Sequence, residues 1–261
     1  MPGLSDRGSA MNTGDWSTSI TRTGEGELHV RGYDICEMIR GLSFAQTVYL
    51  ILKGELPSEA EARMIEGMLV SSIDHGITPP SCLAARTVMS GGNSLNSSVA
   101  AGILTIGESH GGAIEQCARI LQDGVCQNLS AAQVVEDCKA QKIRIPGYGH
   151  RIHARDPRTS TLLELADSCG FTGDHIRLAV GIMEELERGS DRKLPLNVDG
   201  AIAAIISEMG FDWRLGKGFF IIARTPGLVA HVYEEWTTQK PMRKLGPLGG
   251  SYNGHPDRPL P

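Results

Sequence analysis

Apolar residues recur at helical spacing through most of the chain. After Ser58, the side chains of Met64, Ile65, Met68, Leu69 and Ile73 fall on one face. Similar runs over residues 100–106, 113–121, 134–140, 162–169, 176–186 and 201–209 predict further helices. A last long helix is predicted over residues 213–236, with Pro226 and Gly227 expected to kink it. Three helix starts carry the S-x-x-[EQ] capping box, at Ser43/Gln46, Ser58/Glu61 and Ser130/Gln133. In each, the hydroxyl and the side chain three residues on satisfy backbone donors that the first turn leaves orphaned. Strand signal is weak, and residues 27–31 predict one arm of a short hairpin. No strand–helix alternation and no internal repeat is visible, so the expected architecture is mostly α.

Composition narrows this picture. A chain of 261 residues with 41% hydrophobic and 21% charged residues is an ordinary globular mixture, which excludes disordered and collagen-like classes. Its length suits one large domain, or a large and a small one. A net charge of −5 offers no broad basic surface, so nucleic acid is set aside as a partner. The 5% aromatic share against 32 glycines suits close helix packing rather than a β-sandwich. No apolar run reaches the roughly 18 residues of a membrane span. Residues 1–18 are polar and small, read as a flexible segment without a signal peptide. Cys36, Cys82, Cys117, Cys126, Cys138 and Cys169 form no C-x-x-C pair. They read as reduced thiols, which points to the cytoplasm.

The candidate chemistry lies in polar loops between the helices: residues 73–76 (I-D-H-G), 107–112 (G-E-S-H-G-G), 145–158 and 197–199 (N-V-D). Glycine beside His or Asp lets the backbone approach a ligand and leaves helix N-terminal amides available. Taken singly, each residue has a plain structural role: a histidine can be a hydrogen-bonded core residue, Arg158 can sit at a helix start, and Asp199 can cap the helix after it. Four loops of the same character make the stronger pattern. His29, His175, His231 and His255 lack that context and read as structural, with His153 between the two groups. A metal site of His75, His110 and His150 lacks the paired spacing on one helix. A serine hydrolase lacks the G-x-S-x-G elbow, and a dinucleotide site lacks a strand before its glycine loop. The loops do supply the groups needed for carbon–carbon bond chemistry beside a carbonyl. Asp199 is a carboxylate acid/base, His110 and His150 are donors for enolate and alkoxide oxygens, and arginines can hold substrate carboxylates.

Eight segments carry a family likeness: R-G-Y-D-I from Arg31, L-K-G-E-L-P from Leu52, S-I-D-H-G from Ser72, A-A-R ending at Arg86, H-G-G-A from His110, I-P-G-Y-G-H-R-I-H-A-R-D-P-R from Ile145 to Arg158, N-V-D ending at Asp199, and A-R-T-P-G-L-V-A-H ending at His231. In this order they resemble the citrate synthase superfamily, and within it the short citryl-CoA lyase branch. The likeness covers residues 18–254. It implies an all-α, citrate synthase-like fold with a truncated large domain and a small domain, working as a homodimer or higher homo-oligomer. The domain is expected over residues 19–254, its small-domain part roughly 113–212, with a tail at 255–261. The implied activity is cleavage of citryl-CoA to acetyl-CoA and oxaloacetate. A condensing transferase and a non-catalytic acyl-CoA-binding subunit are the alternatives.

The resemblance also assigns roles by position. His110 matches the donor to the thioester oxygen, Asp199 the acid/base at the thioester methyl, and His150 the donor to the ketone or hydroxyl. His75, Arg151, Arg158 and Arg224 match substrate-binding positions, and Arg243 an arginine given across the dimer. Ile145, Pro146, Gly147, Tyr148 and Gly149 match the backbone that holds coenzyme A. The implied ligands are a CoA thioester and a di- or tricarboxylate, with no metal, no tightly bound cofactor and no membrane partner. The chain departs from citrate synthases in being much shorter, in its His150-to-Arg158 gap, and in having Lys244 rather than proline after Arg243.

Overall fold

The computed structural model describes residues 16–149, 156–188, 194–243 and 253–260. The expectations placed on residues 1–15, His150, Arg151 and His153 lie outside the described residues. The chain divides into two compact units, Met1–Glu66 and Gly67–Pro261.

The first unit opens on a small antiparallel sheet in the order β1 (Thr21–Gly24), β2 (Glu27–Val30) and β3 (Tyr33–Asp34). Thr21 pairs with Val30 and His29 with Asp34, so the predicted hairpin arm is β2. Asp34 then caps α1 (Ile35–Gly41), its carboxylate accepting the amides of Cys36 and Glu37. The capping box at Ser43 and Gln46 starts α2 (Phe44–Lys53), and Gly54, at φ 94°, ends it. Val30, Met38 and Leu50 form the core beneath this sheet. The guanidinium of Arg31 ties the sheet to α2 by donating to Ile51 O at 2.8 and 3.1 Å. The box at Ser58 and Glu61 starts α3 (Glu59–Ser71), which runs across the division between the units.

In the second unit, α4 (Pro80–Ser90) packs on α5 (Leu95–Leu104), and both pack on α11 (Gly216–Thr238). This last helix carries Pro226 in its interior and follows a 3-10 turn at Trp213–Leu215. Arg86 pins α4 to α11 through ion pairs to Glu235 at 2.8 Å and Glu234 at 3.0 Å. A second pack joins α6 (Ala113–Cys126), α7 (Ala131–Ala140), α8 (Pro157–Ser168), α9 (Asp174–Arg188) and α10 (Val198–Glu208). The third capping box, at Ser130 and Gln133, starts α7. At the centre, α10 is apolar on all sides, and a helix of that kind must be enclosed. Nine of its eleven residues are buried. Ile202, Ile205 and Ile206 each contribute about 1.5–3 kcal/mol by leaving water. The first turn of this enclosed helix carries Asp199.

Candidate active site

The cap of α10 is Asn197. Its Oδ1 accepts the amides of Asp199 and Gly200 at 3.0 and 3.1 Å. The plain alternative for Asp199, capping this helix, does not hold: the side chain two residues earlier reaches both amides, and Asp199 is part of the first turn. The stretch at residues 145–149 crosses this turn. Gly147 and Gly149 both have φ 85°, a conformation that side chains disfavour. A Cβ on Gly147 would lie 2.7 Å from Gly200 Cα, and one on Gly200 would lie 2.4 Å from Gly147 O. The two glycines therefore permit an approach that no other residue pair allows. Asn197 N donates to Gly147 O, and Asn197 Nδ2 donates to Gly149 O, both at 2.9 Å. Ile145 and Tyr148 are buried, with Tyr148 OH donating to Ala179 O at 2.9 Å, while Pro146 and Gly149 are partly exposed. Beneath the crossing lies Cys117, whose thiol is pushed up to about 12 by burial and by the charge of Asp199. It is a neutral group there.

His110 sits in a tight turn closed by backbone bonds between Gly107 and His110 at 2.9 and 3.1 Å. Gly111, at φ 80°, follows it, and a Cβ there would strike the Phe220 ring at 2.6 Å. The His110 ring meets Phe220 edge-on at 5.7 Å, and its Nε2 lies 2.8 Å from Oγ of the buried Ser81. Burial lowers the pKa of His110, and the charges of Arg224 and His75 lower it further. The imidazole is thus neutral at pH 7.

His75 lies in the exposed loop between α3 and α4. Asp74 shapes that loop, accepting the Gly76 amide at 2.9 Å and His231 Nε2 at 3.0 Å. Burial favours the neutral acid, yet the amides of Gly76 and His75 together with His231 outweigh it and hold Asp74 below its ordinary value. Arg224, 4% exposed in the middle of α11, donates from Nε to Ser72 O at 3.0 Å, and its guanidinium lies 4.8 Å over Phe220. Burial lowers its pKa; Asp74 and Asp199 oppose that, and Arg158 adds to it. Those charges place Asp74, Arg158 and Asp199 within electrostatic reach of one guanidinium.

Arg158 stands in the first turn of α8 and is already engaged. Its Nε and Nη2 grip the carboxylate of the capping Asp156 at 3.0 and 2.8 Å, and Nη1 donates to Ser71 O at 3.3 Å. Arg243 lies elsewhere in the chain. It forms an ion pair with the buried Glu235 at 2.9 Å, and its backbone N donates to Ser90 Oγ at 2.7 Å. A cavity of about 510 Å³ borders Glu235, with Asn93, Leu95, Trp236 and Lys240 among its walls. The charged groups converge away from it, around Arg224.

One chain thus brings together His75, His110, Arg158, Asp199, Arg224 and the 145–149 stretch, and places Arg243 apart from them. Sequence reasoning missed Ser81, Asp74 and Asn197, and read His231 as structural. The seven-residue step from Arg224 to His231, two turns on one helix, was the available signal for His231. Among the described residues, no group of three or more His, Cys, Asp or Glu side chains is placed to hold a metal.

A profile of the family described as "Citrate synthase, C-terminal domain" matches residues 57–245. The chain belongs to the citrate synthase family. Within this family it is similar to a citryl-CoA lyase from Hydrogenobacter thermophilus. The two are 55% identical with a TM-score of 0.90, over 94% of this chain and 97% of that one. It is also similar to an ATP citrate lyase from Methanothrix soehngenii, solved in complex with citrate and coenzyme A. That structure is 25% identical with a TM-score of 0.83, over 97% of this chain and 43% of that one. Over 231 residues the chain is 31% identical to ATP-citrate synthase beta chain protein 2 of Arabidopsis thaliana, covering 81% of this chain and 36% of that protein. The chain spans about a third of the length of such curated citrate synthase-family relatives.

Proposed function

We propose that this protein cleaves citryl-CoA to acetyl-CoA and oxaloacetate. The observation that carries this reading is the near full-length likeness to a citryl-CoA lyase, with 55% identity. The site geometry supports it. The hydroxyl of the citryl group gives its proton to His150. The carbon–carbon bond then breaks: the hydroxyl carbon becomes the ketone of oxaloacetate, and the bonding pair moves into the thioester as an enolate. His110 donates a hydrogen bond to the enolate oxygen. Asp199 delivers a proton to the enolate carbon, completing acetyl-CoA. No water is consumed, so atoms balance.

A neutral His110 suits this role, because a neutral donor stabilises developing charge without carrying its own. For Nδ1 to donate, Nε2 must accept, and the Ser81 hydroxyl at 2.8 Å is placed to donate to it. Arg224 holds a substrate carboxylate, with Arg158 in electrostatic reach of it and His75 near His110; the substrate-binding role of Arg151 rests on the family likeness. The 145–149 backbone takes the CoA end, and its crossing over Gly200 sets the thioester beside Asp199. Neither a metal nor a tightly bound cofactor enters these steps.

The helices α6 to α10 form the small domain, roughly residues 113–212, supported by their packing on one another. The working form is at least a homodimer, in which Arg243 reaches the neighbouring copy's site. Its separation from the Arg224 cluster and the exposure of Leu104 on the apolar α5 support this. No described helix is long and apolar enough to cross a membrane. A cytoplasmic location is supported by six free thiols.

The test is turnover by the purified protein. Equal release of acetyl-CoA and oxaloacetate from citryl-CoA is expected. Condensation of those products with hydrolysis to free CoA would favour the transferase reading, and binding without turnover the non-catalytic one.

A further inference from the structure

One face of α11 reads the chain entering the site, residue by residue. Arg224 Nε donates to Ser72 O at 3.0 Å. Three residues on, Gly227 leaves room for Ile73 O, which would stand 2.3 Å from any Cβ placed there. Four residues further, His231 Nε2 lies 3.0 Å from Asp74 Oδ1. Positions i, i+3 and i+7 lie on one helix face. They meet Ser72, Ile73 and Asp74 in order. The next residue is His75.

Asp74 passes this register on. Its Oδ2 accepts the Gly76 amide at 2.9 Å, and the His75 amide also points to its carboxylate. The turn that presents His75 is therefore built on a carboxylate, and that carboxylate is held from outside the loop by one imidazole. His231 is itself steadied: it is mostly buried, with Nδ1 at 4.0 Å from Glu234, which Arg86 holds at 3.0 Å. We propose that His231 is a positioning residue for the substrate site, fixing through Asp74 the loop that carries His75. What His75 touches rests on the lyase reading above. The hold of His231 on the loop rests on geometry alone.

The experiment compares His231→Leu, His231→Asn and His231→Gln with the wild type. Leucine cannot donate, and asparagine is too short to reach Asp74. Glutamine places an N–H where Nε2 stood. Hydrogen exchange at the Gly76 amide reports the loop directly. Steady-state kinetics with citryl-CoA report the site, and inhibition by added free CoA reports the distant 145–149 end. For Leu and Asn we expect about tenfold faster Gly76 exchange and about a tenfold higher KM, the loss of one hydrogen bond to a charged group. The CoA inhibition constant should stay within twofold, and Gln should restore both exchange and KM. If Leu fails to fold, Asn carries the comparison. Variants that lose thermal stability while keeping Gly76 protection and KM within twofold of wild type would show a purely structural histidine and overturn the proposal. If the wild type does not turn over citryl-CoA, the lyase reading falls by itself, and Gly76 exchange alone decides whether His231 holds the loop.

Discussion

The side chain of Asn197 is bonded at both ends: Nδ2 donates to Gly149 O at 2.9 Å, while Oδ1 accepts the two amides that begin α10. One amide group therefore couples the stretch assigned to CoA with the helix that carries Asp199. Asn197→Asp separates the two functions. A carboxylate still caps the helix, but it cannot donate, and it sets an oxygen against the Gly149 carbonyl. The melting temperature should change little, while KM for the CoA thioester rises about tenfold. Thermal melts beside steady-state kinetics check this. An unchanged KM would detach Asn197 from the binding stretch.

Asp199→Asn removes the proposed carbon acid. The turnover rate should fall by about two to four powers of ten, with CoA affinity nearly intact. The same variant tests the placement of Arg243. If Arg243 acts in the neighbouring copy, a mixed dimer of Asp199→Asn and Arg243→Ala has one undamaged site. Activity should then return on mixing two inactive proteins. No recovery despite demonstrated subunit exchange would confine Arg243 to its own chain.

His110 gives the acid side of stability a sign. Its pKa in the fold lies below the ordinary value of 6.5. The unfolded chain thus holds a proton that the folded protein has released. The contribution is complete above about pH 6.5 and is lost as pH falls toward the depressed value. Urea midpoints measured from pH 7.5 down to 5.5 should fall less steeply in His110→Gln than in the wild type. Parallel slopes would mean that His110 is not the group responsible.

Ser81→Ala leaves the His110 ring in place but removes the hydroxyl that pairs with its Nε2. The expected result is a kcat lower by about tenfold with KM preserved, since the lost interaction orients a catalytic group rather than holding substrate. A rise in KM without loss of kcat would place Ser81 in binding instead.

Local chemistry made most of the fold legible. The three capping boxes act within three residues, and the helical periodicity of the apolar positions carries the rest. The strand β1 was not legible, because Thr21–Gly24 is short and mostly exposed, so no apolar alternation marks it. In the site, the loop residues were readable and their partners were not. Ser81 meets His110 across 29 residues, and Asp74 meets His231 across 157. Only tertiary packing makes such pairs. Asn197 and Asp199 are both good capping residues two positions apart, and composition does not decide between them. Arg158 shows the converse. Its motif suggests an open fork for a substrate carboxylate, but Asp156, two residues away, already occupies that fork.

The three footholds on α11 give the segment between Arg224 and His231 a fixed count. A residue inserted there turns the later part of the helix by about 100° and advances it by about 1.5 Å. Arg224 would keep its carbonyl while His231 swung off Asp74, and a deletion would do the same in the opposite sense. Before that interval, Phe219 and Phe220 line the same small space as Ser72, so the register extends back along the helix. Beyond His231 the count matters for a different reason, because Glu234 and Glu235 must still meet Arg86 before the helix ends at Thr238. Between Arg224 and His231 no residue can be added or removed, and Gly227 cannot be exchanged for a larger one.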